Sequence, residues 1–329
     1  ARYQFEFIFI QIVAGLVAIY SLREMSSRAQ VFKTAVMVCL AMCVSYFTLR
    51  LMQSGDEFKL DSNMYYHFFI CGVLLLLAYP LMYLVEKAFG FVSNITLIEL
   101  SNTNRGLLRD LSEVAPGTFQ HSITVGNLAS EIANKIGANA TLVRTGALYH
   151  DIGKMINPAF FTENQQGGIN PHDNLTDKES AKIIIEHVPN GVKLAEEANL
   201  PVAIIDFIRT HHGRNVAKYF YITYQNKHSN EVVDKELFTY PGPNPYTLEQ
   251  AILMMADGCE AASHSLKLYS EESITALVNK IIDQQVADGC FKECKITFYD
   301  IAIAKQVLLD RLKAIYHTRI QYPTSNKPQ

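Results

Sequence analysis

Gly146-Ala147-Leu148-Tyr149-His150-Asp151-Ile152-Gly153-Lys154 closes a stretch of helical period, residues 140–154, with a histidine beside an aspartate. Imidazole and carboxylate are the donors that borderline first-row metals prefer. One His-Asp pair is weak evidence, because His172-Asp173 is another and lies in a Pro/Asn-rich loop. The pair gains weight from its company: His121, His187, His211-His212 and Asp257 recur along the same half of the chain. These seven groups exceed what a single ion can use, so the series predicts a two-metal site.

The segments carrying those residues read as helices. Residues 119–136 close with Gly137, residues 176–187 open with Thr176 and Glu179 as a capping box, and residues 201–211 begin with proline. Further helices are expected over 247–266, 272–287 and 298–317. Alternation with period two is confined to short pieces near Phe238. The expectation is an all-α domain. His121 falls in the first turn of one helix, His150-Asp151, His187 and His211-His212 at the ends of three others, and Asp257 inside a fifth, so the ligands converge from separate helices on a core site. Neighbouring residues on a helix point roughly 100° apart. His150 and Asp151 therefore straddle a metal pair, with Asp151 as the bridge, more readily than they chelate one ion.

The chain has 329 residues, and its 49% hydrophobic content hides a split. Three apolar stretches, residues 5–22, 31–51 and 64–85, each approach the roughly 20 residues a bilayer-spanning helix needs. They are expected to be transmembrane helices, since three in a row without an amphipathic face are hard to bury in water. The first connection, around Arg23 and Lys33, is basic; the second carries Asp56, Glu57 and Asp61 against Lys59. The positive-inside tendency then places the first loop, and the soluble part, in the cytoplasm. The chain begins at Ala1 without a basic n-region and cleavage site, so upstream sequence is expected to have been removed.

The expected organisation is residues 1–89 as three transmembrane helices, 90–118 as a connector helix, 119–323 as the soluble domain and 324–329 as a disordered tail. Within the connector, residues 96–111 space Leu97, Leu100, Leu107, Leu108 and Leu111 on one face, which suits coupling to the membrane helices, plain packing or a homodimer contact. The six cysteines have no zinc-ribbon or CxxC spacing and read as reduced thiols. A formal charge of -3 offers no basic field for DNA or RNA polymers, whereas a small nucleotide needs none.

Taken together, Ala115-Pro116-Gly117-Thr118-Phe119-Gln120-His121-Ser122, the stretch from Gly146 to Lys154, Glu163-Asn164-Gln165 through Asn170-Pro171-His172-Asp173, His211-His212-Gly213, Tyr240-Pro241-Gly242-Pro243 and Tyr322-Pro323 resemble the HD-domain phosphohydrolases. The resemblance is to the subgroup fused to a seven-transmembrane region, the PgpH type. It implies a C-terminal helical HD domain preceded by transmembrane helices, in the bacterial plasma membrane, with the HD domain in the cytoplasm. It implies hydrolysis of the second messenger cyclic di-AMP to pApA at a binuclear iron or manganese centre, regulated through the membrane region. Carried over by position, His121, His150, Asp151 and Asp257 hold one metal, and Asp151, His187, His211 and His212 the other.

The chemistry fits these donors. Two metals roughly 3.5 to 4 Å apart generate hydroxide near neutral pH and offset charge on the phosphorane, and a bridging hydroxide attacks in line. Lys154 is either a point charge for a nonbridging phosphate oxygen or a solvated lysine at a helix end. His172 is a donor behind the ligands, a substrate contact or a loop residue, and the substrate side is favoured. Gly106 stands where the subgroup commonly has proline, and Gly258 and His264 where serine and arginine are expected, departures that bear on base preference and affinity and not on the metal donors. The Gly-Tyr-Pro signature of the cyclic di-GMP branch is absent after His211-His212. Two other readings stay open: an HD hydrolase of another nucleotide (cyclic di-GMP, a linear dinucleotide or a guanosine alarmone), and a receptor that binds a nucleotide without cleaving it.

Overall fold

The structure, a computed structural model, describes residues 2–23, 29–53, 61–165, 170–229 and 233–316. Parts of both connections used to orient the apolar stretches, the loop 166–169, His317, Tyr322-Pro323 and the tail 324–329 lie outside the described residues. The chain forms two compact units, Ala1–Glu99 and Leu100–Gln329.

In the first unit, α1 (Arg2–Leu22), α2 (Ala29–Gln53) and α3 (Ser62–Phe89) follow the three apolar stretches. Ile10 and Ala14 of α1, Val38, Met42 and Tyr46 of α2 and Phe68 of α3 form a small core. The Tyr46 ring meets Tyr65 and Phe68 edge-on, at 5.4 and 5.9 Å. Most other apolar side chains face outward, Phe7, Leu16, Ile19, Leu40 and Val44 among them. So much exposed apolar surface calls for a nonaqueous environment. Among the described residues, the segments Phe5–Leu22 and Gln30–Met52 are long and apolar enough to cross a bilayer. α3, 28 residues long, covers the third apolar stretch, residues 64–85, and Ser62–Ala78 is an apolar run within it.

The connector expected as one helix over residues 90–118 is broken. α4 (Asn94–Leu100) and α5 (Gly106–Val114) are separate, with Arg105 extended and Gly106 at φ +53°. That backbone angle is closed to proline, whose ring holds φ near −65°, so glycine at 106 accompanies a turn that proline would forbid.

The second unit is all-α among its described residues, apart from an isolated bridge between Val216 and Thr239. It comprises α5, α6 (Pro116–Ile136), α7 (Ala140–Tyr149), α8 (Asp177–Glu197), α9 (Val202–Thr210), α10 (Lys218–Lys227), α11 (Leu248–Ser263), α12 (Glu271–Ala287) and α13 (Phe298–Tyr316), with 3₁₀ turns between α7 and α8. Local chemistry sets many of the ends. Asn139 caps α7, capping boxes open α8 at Thr176/Glu179 and α11 at Thr247/Gln250, and Gly137 at φ 85° closes α6.

α11 is the central helix. An unbroken run from Gln250 to Asp257 is buried, as a helix surrounded on all sides must be. Ile252, Leu253 and Met255 pack among Val125 and Ile132 of α6, Phe207 of α9, Ile282 of α12 and Leu308 of α13. Each such side chain contributes roughly 1.5 to 3 kcal/mol on burial. Gly258, one turn further, leaves room for the Gln285 amide, which donates to the Met254 carbonyl at 3.0 Å.

Three sequence expectations about helix bounds are corrected. α6 starts at Pro116 rather than 119, placing His121 in its second turn. α7 stops at Tyr149 rather than 154, and a 3₁₀ turn follows over Ile152–Ile156. α8 does not end at His187; it continues through Pro189 to Glu197, because Val188, Gly191 and Ala195 are buried against the domain and that packing outweighs one lost backbone hydrogen bond.

Candidate metal centre

His150 extends the last turn of α7 in helical geometry, and Asp151 leaves it at φ −111°, ψ 13°. The chain therefore turns between the two side chains. Gly153 makes the turn fit: a Cβ there would overlap the His187 carbonyl and press on the Gly191 amide, so only glycine lets this turn lie against α8. His187 projects from α8, His211 caps α9 with His212 next to it, and Asp257 projects from the buried helix α11.

All seven residues meet. His121, His150 and Asp257 form one group whose donor atoms lie within 4.8 Å of one another, His187, His211 and His212 form another, and His150, Asp151 and His211 link them. Asp151 faces both sides. Its Oδ1 lies 3.2 Å from His187 Nε2 and 3.6 Å from His211 Nε2. Its Oδ2 lies 3.2 Å from His150 Nε2 and 3.6 Å from His121 Nε2. Asp257 Oδ1 sits 3.0 Å from His121 Nε2 and 3.6 Å from His150 Nε2.

The imidazoles are held from behind. Nδ1 of His150, His187 and His211 faces the carbonyl three residues back, at 2.7, 2.5 and 2.9 Å from Ala147, Ile184 and Ile208. A proton on Nδ1 leaves the Nε2 lone pair aimed inward, the tautomer a metal requires. Among the described residues, buried His150 Nε2 and Asp151 Oδ1 have no hydrogen-bond partner, and His187 Nε2 and His211 Nε2 approach to 3.1 Å. Unsatisfied buried polar atoms are costly. A cation among them would satisfy both, so the donor set fits a metal site.

Charge follows the same division. Burial opposes a proton on His121 and His150, yet Asp257 and Glu260 raise the first to about 9, and Asp151 and Asp257 raise the second to about 10. Burial also opposes ionisation of Asp151 and Asp257, but the facing imidazoles, with Lys154 beside Asp151, hold both well below the usual carboxylate range. Burial pushes His211 down, and burial with neighbouring imidazoles pushes His212 down further. These two are neutral and ready to donate.

Lys154 is not the solvated lysine that one sequence reading allowed. Its ammonium lies 2.8 Å from Asp151 Oδ2 and 2.8 Å from Glu163 Oε1, 5.0 Å from the Phe161 ring centroid. His172 packs against the Phe160 and Phe220 rings, with Nε2 2.9 Å from the Phe160 carbonyl and a buried Nδ1 that has no hydrogen-bond partner among the described residues. It is not among the clustered donors.

Sequence reasoning assigned no role to three residues that touch this set. Glu260 Oε2 lies 2.6 Å from His121 Nδ1, Glu163 holds Lys154, and the Tyr240 ring lies tilted against His212, centroids 4.2 Å apart. Glu260 carried a signal, three residues after Asp257 on one helical face; Glu163 and Tyr240 carried none beyond the motifs they sit in.

Comparison with known proteins agrees with this architecture. The HD domain family profile matches residues 118–262, and the profile described as a 7TM receptor with intracellular HD hydrolase matches residues 1–93. Over 314 residues the chain is 38% identical to the cyclic-di-AMP phosphodiesterase PgpH of Listeria monocytogenes, and over 321 residues 35% identical to that of Bacillus subtilis. These alignments cover 95% and 96% of this chain, which spans 44% of the length of each relative. The crystal structure of the L. monocytogenes PgpH HD domain in complex with cyclic di-AMP superposes with a TM-score of 0.63 at 42% identity, covering 66% of this chain and 100% of that one. The fold is that of the HD-domain class. Within that class, the chain belongs to the PgpH-type, seven-transmembrane-HD family.

Proposed function

We propose that this chain belongs to a membrane-bound phosphodiesterase that hydrolyses cyclic di-AMP to pApA. The observation that carries the reading is Asp151, one oxygen turned to His187 and His211 and the other to His150 and His121. That geometry supports two divalent ions, iron or manganese, with His121, His150, Asp151 and Asp257 holding one and Asp151, His187, His211 and His212 the other. The substrate rests on the 42% identity to the HD domain crystallised with cyclic di-AMP.

When bound, two such ions acidify water toward neutral pKa and offset charge at phosphorus. The chain's own residues do the rest. The carbonyls of Ala147, Ile184 and Ile208 keep three imidazoles in the donating tautomer. Lys154, held beside Asp151 and Glu163, would offer its ammonium to a nonbridging phosphate oxygen. His172, in the loop beside Phe160 and Phe220, stands on the substrate side in this reading.

In this reading residues 1–89 are three membrane-crossing helices of a multi-pass region in the bacterial plasma membrane, residues 90–118 connect them to the soluble part, and residues 119–323 are a cytosolic HD domain. The outward-facing apolar side chains of α1 and α2 support the bilayer placement. The test is chromatographic product analysis of the full chain in detergent, loaded separately with manganese and iron and given cyclic di-AMP and cyclic di-GMP side by side. Appearance of pApA well ahead of any guanine product supports the proposal. Two bound ions with neither dinucleotide cut would leave the metal site standing and overturn the substrate.

A further inference from the structure

The two ends of the donor cluster differ in what stands behind their imidazoles. His150, His187 and His211 each direct Nδ1 at a neutral backbone carbonyl. His121 directs Nδ1 at a carboxylate, Glu260 Oε2, 2.6 Å away. Glu260 is 4% exposed, and its other oxygen lies 3.1 Å from Nε2 of His264. Asp257, Glu260 and His264 follow one another at spacings of three and four along α11 and beyond its last turn, which stacks them on one helical face. Ser263 anchors this end, its hydroxyl 2.6 Å from the Glu260 carbonyl and 2.8 Å from the Tyr316 hydroxyl.

A carboxylate accepting the Nδ1 proton shifts electron density to Nε2 and makes the imidazole a stronger donor than one resting on a carbonyl. The end holding His121, His150 and Asp257 thus has Asp257, one Asp151 oxygen and Glu260 close by, whereas the other end has three imidazoles and the second Asp151 oxygen. Opposite charge is worth most where solvent is excluded, and this end is buried.

We propose that Glu260 makes the His121–His150–Asp257 end the tighter of the two metal positions, and that His264 holds Glu260 in register from the protein surface. The two ions then load in order, the three-histidine end filling second and emptying first. Glu260 is a positioning residue, acting only through His121. The inference rests on the two-metal reading above.

The experiment is titration of the metal-stripped full chain, in detergent, with manganese alone, followed by the electron paramagnetic resonance of free ion. The unaltered chain takes up two ions in two separated steps, and His212→Ala removes the weaker step only. Glu260→Gln, which keeps the side chain's shape and removes its charge, weakens the tighter step by about 10- to 100-fold and the other far less. His264→Ala, a change at an exposed side chain, weakens the same step to a smaller degree. Two ions bound with equal affinity, or Glu260→Gln leaving the tight step untouched or weakening both steps alike, overturns the inference and leaves the two-metal site intact. Uptake of fewer than two ions by the unaltered chain overturns the two-metal reading and the inference together.

Discussion

The ammonium of Lys154 lies 2.8 Å from Asp151 Oδ2, the oxygen that also faces His150 and His121. A side-chain cation thus rests on an atom that the proposed bridge gives to metal. Burial opposes the charge on Lys154, yet Asp151 and Glu163 together raise its pKa, so it stays a cation at any working pH. Asp151 and Glu163 keep that charge beside the metal site, within reach of a phosphate.

Replacing Lys154 with alanine is expected to slow turnover by about 10²- to 10³-fold, the range for loss of one charge-stabilising donor, with both metals retained. Single-turnover rates with parallel metal analysis check it. Loss of metal along with activity would assign Lys154 to the ligand set instead.

Asp151→Ala removes a carboxylate shared by both groups of imidazoles. Metal content should fall at both positions and turnover should vanish. Unchanged activity in this variant would sink the two-metal assignment.

Metal uptake should strengthen with rising pH. In the metal-free protein His121 keeps its proton up to about pH 9 and His150 up to about pH 10, and an ion must displace these protons to bind. The linkage has a second side. Because both values lie above the roughly 6.5 of a free histidine, their contribution to metal-free stability is complete below that pH and is lost as pH climbs through 9 and 10. Metal affinity measured from pH 6 to 9 should therefore rise steadily. A flat profile would mean that neither imidazole ligates through a protonated nitrogen.

Gly153→Ala introduces a Cβ that overlaps the His187 carbonyl. The turn carrying Asp151 must then move off α8, at a cost of about 1 to 3 kcal/mol in stability, as for other overpacked sites. Thermal unfolding gives the stability and metal analysis the ligand geometry, and both should suffer. A variant with unchanged melting temperature and metal content would show that the turn accommodates a side chain.

Much of the site was legible before any fold was known because its chemistry is local. The seven donors were identifiable from residue type, and their helices from period, the Thr176/Glu179 capping box and Gly137. Where reading by local rules failed, a tertiary contact had overruled the rule. The helix expected to end at His187 continues through Pro189 to Glu197, because its second half is buried. The leucines over 96–111 read as one amphipathic helix, yet a turn at Gly106 divides it.

The sequence by itself determined which side chains could bind metal, that the domain is helical, and where apolar runs long enough for a bilayer lie, since side-chain chemistry and short-range period are properties of neighbouring residues. Only the tertiary structure decided which donors share a face. It turned the two oxygens of Asp151 to opposite groups, set Lys154 between Asp151 and Glu163, and brought Glu260 against His121 across 139 positions of chain. Contacts of that separation depend on how buried helices pack, and no pattern of adjacent residues contains them.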